Sequence, residues 1–212
     1  MDFLELFSKK TFKSFAVNKK VLFNLVNLTI INAIAPCLYT FIRCFIWCSC
    51  ILASVEGTRP ILVEVQALTS QTVFGLPKRT ANGFDYNRLA VLIAVLEKKA
   101  GMMLGGQDIY LNVVGGLKIN EPSIDLGILA ATASSFKNIA ISKDTVIMGE
   151  VGLTGEVRRI NLIEKRIKEA EKLGFKKCII PESNKKGLKE KYKLDIIGVK
   201  DINEAMNKLG LK

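Results

Sequence analysis

The chain reads Gly155-Glu156-Val157-Arg158-Arg159-Ile160, continues through residues 161–174 and reaches Lys177-Cys178-Ile179-Ile180-Pro181-Glu182. The first and last of these pieces predict short strands at residues 157–160 and 177–180. Apolar residues recur at helical spacing between them, which predicts a helix that ends at Gly174. These residues are Leu162, Ile163, Ile167, Ala170 and Leu173. A strand, a helix and a strand in succession indicate an α/β or α+β fold.

The same alternation of strands and helices extends over residues 51–212. Residues 61–67 alternate apolar and polar side chains, as a half-buried strand does. Further strands are predicted at residues 108–114 and 195–199. Residues 85–99 predict a helix ended by Gly101, and residues 123–135 predict another, with Pro122 at its start. One face of the first helix carries Leu89, Leu92, Ile93 and Leu96.

The chain has a different character before residue 48, which predicts a leader at residues 1–47 and a folded domain at residues 48–212. Residues 21–42 contain no charged side chain and follow five lysines: Lys9, Lys10, Lys13, Lys19 and Lys20. Length and flanking charge fit a transmembrane helix with its N-terminus in the cytoplasm. Asparagines and Pro36 weaken that span. The alternative is that the leader results from a mis-called start or a frameshift.

Composition excludes several kinds of chemistry. The chain has no histidine, which removes Ser-His-Asp and Cys-His catalysis within one chain. Its five cysteines lack the spacing of a zinc site, and no Gly-x-x-x-x-Gly-Lys-Ser/Thr motif is present to bind nucleotide phosphates. No cofactor and no metal are therefore expected. The formal charge is +11, of which residues 51–212 carry +7. Such an excess favours a polyanionic partner, either nucleic acid or an anionic membrane.

The segment Asn120-Glu121-Pro122-Ser123-Ile124-Asp125-Leu126-Gly127, taken with residues 155–182, resembles the skeleton of the Lon serine–lysine proteases. The resemblance places a candidate nucleophile at Ser123 and puts Glu164 where that family has its lysine. Lys165 comes next, but one residue rotates a helix by about 100°, which turns Lys165 to solvent. Ser123 and Lys165 are thus degenerate candidates, and no catalytic residue is expected. Ser123 is interpreted instead as a first-turn residue that satisfies a backbone N–H.

Four stretches, residues 48–60, 80–98, 121–126 and 149–159, resemble the C-terminal domain of the bacterial RadA (Sms) DNA-repair family. The resemblance implies a Lon-protease-like, ribosomal protein S5 domain 2-like fold. It also implies a non-proteolytic domain that assembles a hexameric ring and binds DNA in repair and recombination. A zinc finger and a RecA-like ATPase precede this domain in that family; neither occurs here, so a truncated form is expected. A weaker similarity extends to the ComM and magnesium-chelatase group.

Five basic residues are the preferred candidates for DNA contact: Lys78, Arg79, Arg88, Arg158 and Arg159. The cations that follow, including Lys165, Arg166, Lys168 and Lys172, alternate with glutamates and read as a solvated helix face. The expected partners are single-stranded or branched DNA and further copies of the chain, with a cytoplasmic location. Two alternatives stay open: a membrane-anchored Lon-like serine peptidase that uses Ser123, with the membrane contacted through residues 21–42, and a decayed fragment without a function of its own.

Overall fold

The structure is a computed structural model that describes residues 49–57, 59–73 and 75–212. The predicted leader at residues 1–47 and the candidate membrane span at residues 21–42 lie outside these ranges, and both stay predictions. Within the described ranges, no helix is both long and apolar enough to cross a lipid bilayer.

The described residues form one large and one small β-sheet. The large sheet has seven strands in the order β3-β4-β2-β1-β5-β8-β9. Its strands are β1 (Ser49–Glu56), β2 (Arg59–Gln71), β3 (Arg79–Asn82), β4 (Gln107–Val113), β5 (Thr145–Ile147), β8 (Lys177–Pro181) and β9 (Asp195–Val199). The small sheet pairs β6 (Glu150–Val151) with β7 (Val157–Arg158).

Five α-helices lie in the described part of the chain. They are α1 (Tyr86–Ala100), α2 (Asp125–Lys137), α3 (Ile163–Lys172), α4 (Glu182–Lys185) and α5 (Ile202–Leu209). A single 3-10 turn, Pro122–Ile124, leads directly into α2. The helix predicted at residues 85–99 is confirmed: Asp85 caps it by accepting a hydrogen bond from the Arg88 N–H, and Gly101 ends it in the left-handed conformation.

Strand β1 occupies the middle of the large sheet. It pairs antiparallel with β2, beyond a turn at Gly57, and parallel with β5. The pairs β3–β4, β5–β8 and β8–β9 are also parallel, whereas β2 and β4 are antiparallel. The sheet is therefore mostly parallel, and the predicted α/β class is confirmed. The finer assignment, a Lon-protease-like fold, stays a prediction.

The large sheet separates two apolar cores. The larger core packs α1, α2 and α5 against one face and includes Leu52 of β1. The smaller core packs α3 against the other face and includes Ala53, the next residue of β1. Successive side chains of a strand point to opposite faces, so β1 contributes to both cores. This explains why its sequence is apolar almost throughout.

Helix α2 is buried along nearly its whole length, since every residue from 125 to 135 is inaccessible to solvent. Its small side chains let it approach β1 closely. A Cβ atom on Gly127 would lie only 1.7 Å from Leu52 Cδ2, and the Cys50 thiol donates to the Gly127 carbonyl at 3.1 Å. Close contact of α2 with the central strand fixes the position of the turn that carries Ser123.

Candidate functional site

Ser123 lies in the 3-10 turn at the entrance to α2 and is only 3% exposed. Its backbone carbonyl accepts a hydrogen bond from the Gly149 N–H at 2.7 Å. No side chain caps the turn or the helix that follows it. The expectation that Ser123 satisfies a free backbone N–H is therefore wrong. Its hydroxyl accepts a hydrogen bond from Arg166 Nη1 instead, at 3.1 Å.

Arg166 belongs to α3 and is fully buried. Its guanidinium donates to the Ala53 carbonyl at 2.5 Å and to the Asn161 carbonyl at 3.0 Å. It also forms a two-point ion pair with Glu121. The sequence interpretation placed Arg166 on a solvated face, and this is wrong. The residue follows Ile163 by three positions and precedes Ala170 by four, which places it on the buried face of the helix.

Glu121 completes this cluster. It accepts hydrogen bonds from the Ser54 hydroxyl at 2.9 Å and from the Val55 N–H at 3.0 Å, besides its ion pair with Arg166. Burial alone would raise the pKa of Glu121, but Arg166 and the two donors outweigh it and hold the pKa below its ordinary value. The carboxylate is therefore ionised and balances the buried guanidinium.

Lys165 is exposed, as the helical rotation predicts, and no hydrogen bond links it to Ser123 in the described part of the chain. The only cation that contacts the Ser123 hydroxyl there is Arg166. A guanidinium stays protonated in proteins and cannot accept a proton from serine. The geometry therefore supplies Ser123 with a hydrogen-bond donor where a serine–lysine protease needs a base.

Arg88 forms a bidentate ion pair with Asp125, with Nε–Oδ1 and Nη2–Oδ2 distances of 2.7 and 2.5 Å. The Asp125 side chain is completely buried and also accepts from the Val151 N–H at 3.2 Å. Burial raises the pKa of Asp125 above its ordinary value, although these bonds oppose the rise. The pair fastens α1 to α2, so two of the donor nitrogens of Arg88 are engaged within the fold.

Arg79 and Lys78 stand at the start of β3 and differ in what their side chains contact. The Arg79 guanidinium donates to the carbonyls of Lys78, Leu104 and Gln107, which joins β3 to the loop before β4. Lys78 is exposed, and its side chain forms no ion pair with any described residue. Arg79 is thus engaged in the fold, whereas Lys78 is free to meet a partner.

Arg158 and Arg159 are both exposed at the end of β7. Arg158 contacts Glu156 Oε1 through Nε and Nη2, at 2.9 and 2.5 Å. Arg159 has no ion pair among the residues that the structure describes, and its Nη2 lies beside Gly187. Arg88 and Arg158 line the same cleft of about 490 Å³, between α1 and the loop that joins β6 to β7. The other three candidates do not line it.

The sequence interpretation overlooked two features. The first is Arg166, which its position in the apolar stripe of α3 could have revealed. The second is the stretch of residues 185–193, which has five lysines, Lys185, Lys186, Lys189, Lys191 and Lys193, against the single acid Glu190. All five lysines are exposed.

Comparison of the sequence with known proteins finds a matching family and similar proteins. A protein-family model described as subunit ChlI of Mg-chelatase matches residues 62–184. Proteins named DNA repair protein RadA are similar over the C-terminal part of the chain. Those of Halalkalibacterium halodurans and Bacillus subtilis are 52% and 54% identical over 158 residues, and that of Listeria monocytogenes is 48% identical over 160 residues.

These matches cover 74–76% of the chain but only 34–35% of the three relatives. The chain therefore spans about one third of the length of the curated relatives that it matches. Both similarities seen in the sequence, the one to RadA and the weaker one to the magnesium-chelatase group, are confirmed.

Proposed function

The chain belongs to the family described as subunit ChlI of Mg-chelatase, and from this membership and its RadA relatives we propose that it acts in DNA repair in the cytoplasm. One observation carries the proposal: about half of the residues in the matched region are identical to those of proteins named for DNA repair. We propose that the described domain binds DNA and assembles with further copies of itself, with no ATPase of its own.

The geometry at Ser123 supports a binding domain over a peptidase. The hydroxyl is buried, its hydrogen-bond partner is the guanidinium of Arg166, and Lys165 is exposed. The alternative of a membrane-anchored serine peptidase needs a base beside Ser123 and a membrane span. The candidate span lies outside the described residues, and the described ones supply no such base. We therefore do not propose peptidase activity.

The contacts of the five candidates favour two different roles, direct contact with DNA and support of the fold. Lys78 and Arg159 are exposed and without ion pairs among the described residues, and Arg158 is exposed with glutamate neighbours. We propose that these three contact phosphates directly. Arg79 and Arg88 donate to backbone carbonyls and to Asp125 respectively, so they support the loops from which contact is made. Contacts of this kind position DNA without reading its sequence.

The proposal is tested by fluorescence anisotropy, with labelled single-stranded DNA titrated by the full 212-residue chain over a salt series. We expect affinity to fall steeply with salt, and Arg159→Ala to reduce the slope of log K against log salt by about 0.7, the value for one single-strand phosphate contact. Lys143→Ala, which changes an exposed lysine outside the five candidates, is the control. No binding by folded protein at about 50 mM salt would refute the proposed DNA contact.

Assembly is measured separately. The mass in solution from light scattering is expected to be a multiple of the 23.4 kDa chain. A monomer at every concentration would remove ring assembly from the proposal and leave DNA binding untouched.

A further inference from the structure

The positive charge of the domain is concentrated in one stretch of the chain. Residues 159–193 contain twelve Lys and Arg against five Asp and Glu. Residues 51–158 balance at ten of each sign, and residues 194–212 balance at three of each. The whole +7 of residues 51–212 therefore falls on residues 159–193. Every one of its cations except Arg166 is exposed.

The lysine segment, residues 185–193, is held against α3 by the acidic residues of that helix. Glu164 accepts from the Lys189 N–H at 3.3 Å, and Glu171 accepts from the Lys193 N–H at 2.5 Å. These two glutamates are seven residues apart, about 10.5 Å along a helix. Residues 189–193 of the segment thus run alongside α3 for about two turns, with the backbone held at Lys189 and at Lys193.

The side chains of the segment differ in what they contact. Leu188 and Tyr192 pack against the smaller core, Leu194 is buried in it, and Glu190 forms an ion pair with Lys168 of α3 at 2.8 Å. The side chains between them are those of Lys189, Lys191 and Lys193, which are exposed and form no ion pair within the described ranges. These three exposed lysines are called the lysine row, and its two ends lie where Glu164 and Glu171 hold the backbone, about 10.5 Å apart along α3.

Two further cations lie near the lysine row, and one of them, Arg159, is already proposed to contact DNA. The Arg159 guanidinium lies beside Gly187, within the same segment. Lys165 of α3 is exposed and free of ion pairs among the described residues, and it lies on the helix face next to that of Lys168. Glu164 and Glu171 thus accept from backbone N–H groups of the segment, and the ammonium groups of Lys189, Lys191 and Lys193 stay free of ion pairs among the described residues.

We propose that this lysine row is the surface along which the phosphate backbone of single-stranded DNA lies, with Lys189, Lys191 and Lys193 each neutralising phosphate. This deepens, and rests on, the proposed DNA-binding function. A nucleic acid fits better than a membrane surface, because the apolar side chains of the segment, Leu188 and Tyr192, face inward. A membrane-surface segment presents apolar side chains to the lipid. Lysines on phosphates also predict binding without sequence preference.

The experiment compares two triple variants of the full chain that remove equal charge. One is Lys189→Gln with Lys191→Gln and Lys193→Gln. The matched control is Lys98→Gln with Lys99→Gln and Lys118→Gln, which are exposed lysines from the charge-balanced part of the domain. Anisotropy with labelled oligo-dT over a salt series gives the affinity and its salt slope, and circular dichroism checks that both variants fold.

We expect the lysine-row variant to reduce the salt slope by about 2, since each single-strand phosphate contact contributes about 0.7, and to weaken binding at least about tenfold at low salt. The control is expected to retain nearly all of the wild-type slope. If the wild type binds and both variants lose affinity equally, the lysine row is not the contact surface, although the DNA-binding function stands. If the wild type does not bind DNA, that function itself fails. Row-dependent binding to anionic phosphatidylserine vesicles, but not to DNA, would assign the surface to a membrane.

Discussion

The Arg166 side chain joins three stretches of the chain that lie far apart in sequence. It contacts Ala53 on the central strand, the turn at residues 121–123, and Asn161 ahead of its own helix. The Ser123 hydroxyl accepts a hydrogen bond from the Arg166 guanidinium, which is a donor and not a base. One residue thus both ties α3 to the sheet and occupies the space beside the serine.

We expect removal of the Arg166 side chain to destabilise the fold. We expect Arg166→Ala to lower the free energy of unfolding by about 3–5 kcal/mol, because it leaves Glu121 partly buried without its counter-charge. Urea denaturation measures the change. Lys165→Ala, one residue earlier on the exposed face, should alter stability by less than about 0.5 kcal/mol. Equal losses in the two variants would show that the buried cluster contributes little.

The ion pair of Glu121 with Arg166 predicts that the stability of the protein depends on pH. The pKa of Glu121 is held below its ordinary value of 4.5 in the folded protein. Its contribution is therefore complete above about pH 4.5 and is lost as the pH falls through the lower folded value. We expect the Glu121→Gln variant to lose less stability than the wild type as the pH falls below about 4.5. Unfolding curves collected across that range test it, and an unchanged acid dependence would contradict the assignment.

The sequence predicts some helices and strands better than others. The four predicted core residues of helix α1 and its terminal Gly101 are confirmed, and the structure adds Asp85 as its N-cap. Strands β3, β5 and β6 are two to four residues long, too short to show a periodicity, and only their sheet neighbours define them. In α3 the predicted stripe included Leu162 and Leu173, which are exposed. Apolar periodicity alone could not show that a charged residue, Arg166, takes a place in the buried face.

The packing of α2 on β1 depends on a single missing methyl group. A Cβ at residue 127 would overlap Leu52 Cδ2, and Leu52 is fully buried and has no room to move. We expect Gly127→Ala to destabilise the protein by about 1–3 kcal/mol through overpacking. Gly106→Ala is the control, since a Cβ there would meet no atom within 4 Å. Thermal unfolding distinguishes the two, and equal melting temperatures would show that the helix shifts freely.

At the scale of the whole molecule, the excess charge of the domain lies on residues 159–193, which include only one of the five favoured residues, Arg159. The sequence shows the excess of +11, which predicts a polyanionic partner. It could not show that the glutamates of α3 accept backbone N–H groups from residues 189 and 193, because that contact needs the segment to fold back along the helix. In the sequence, the glutamates between the lysines suggest ion pairs with them. In the structure, Glu164 and Glu171 accept from backbone N–H groups instead.

The central place of β1 also has a consequence for synthesis on the ribosome. Its antiparallel partner β2 emerges directly after it, but Val146, the parallel partner of Ile51, is made 95 residues later. At about 5–20 residues per second, that delay is about 5 to 20 seconds. Throughout this interval the edge of β1 that β5 will join has no neighbour, and the apolar face that α3 (Ile163–Lys172) covers stays open. The nascent hairpin should therefore be a client of chaperones that bind at the exit tunnel.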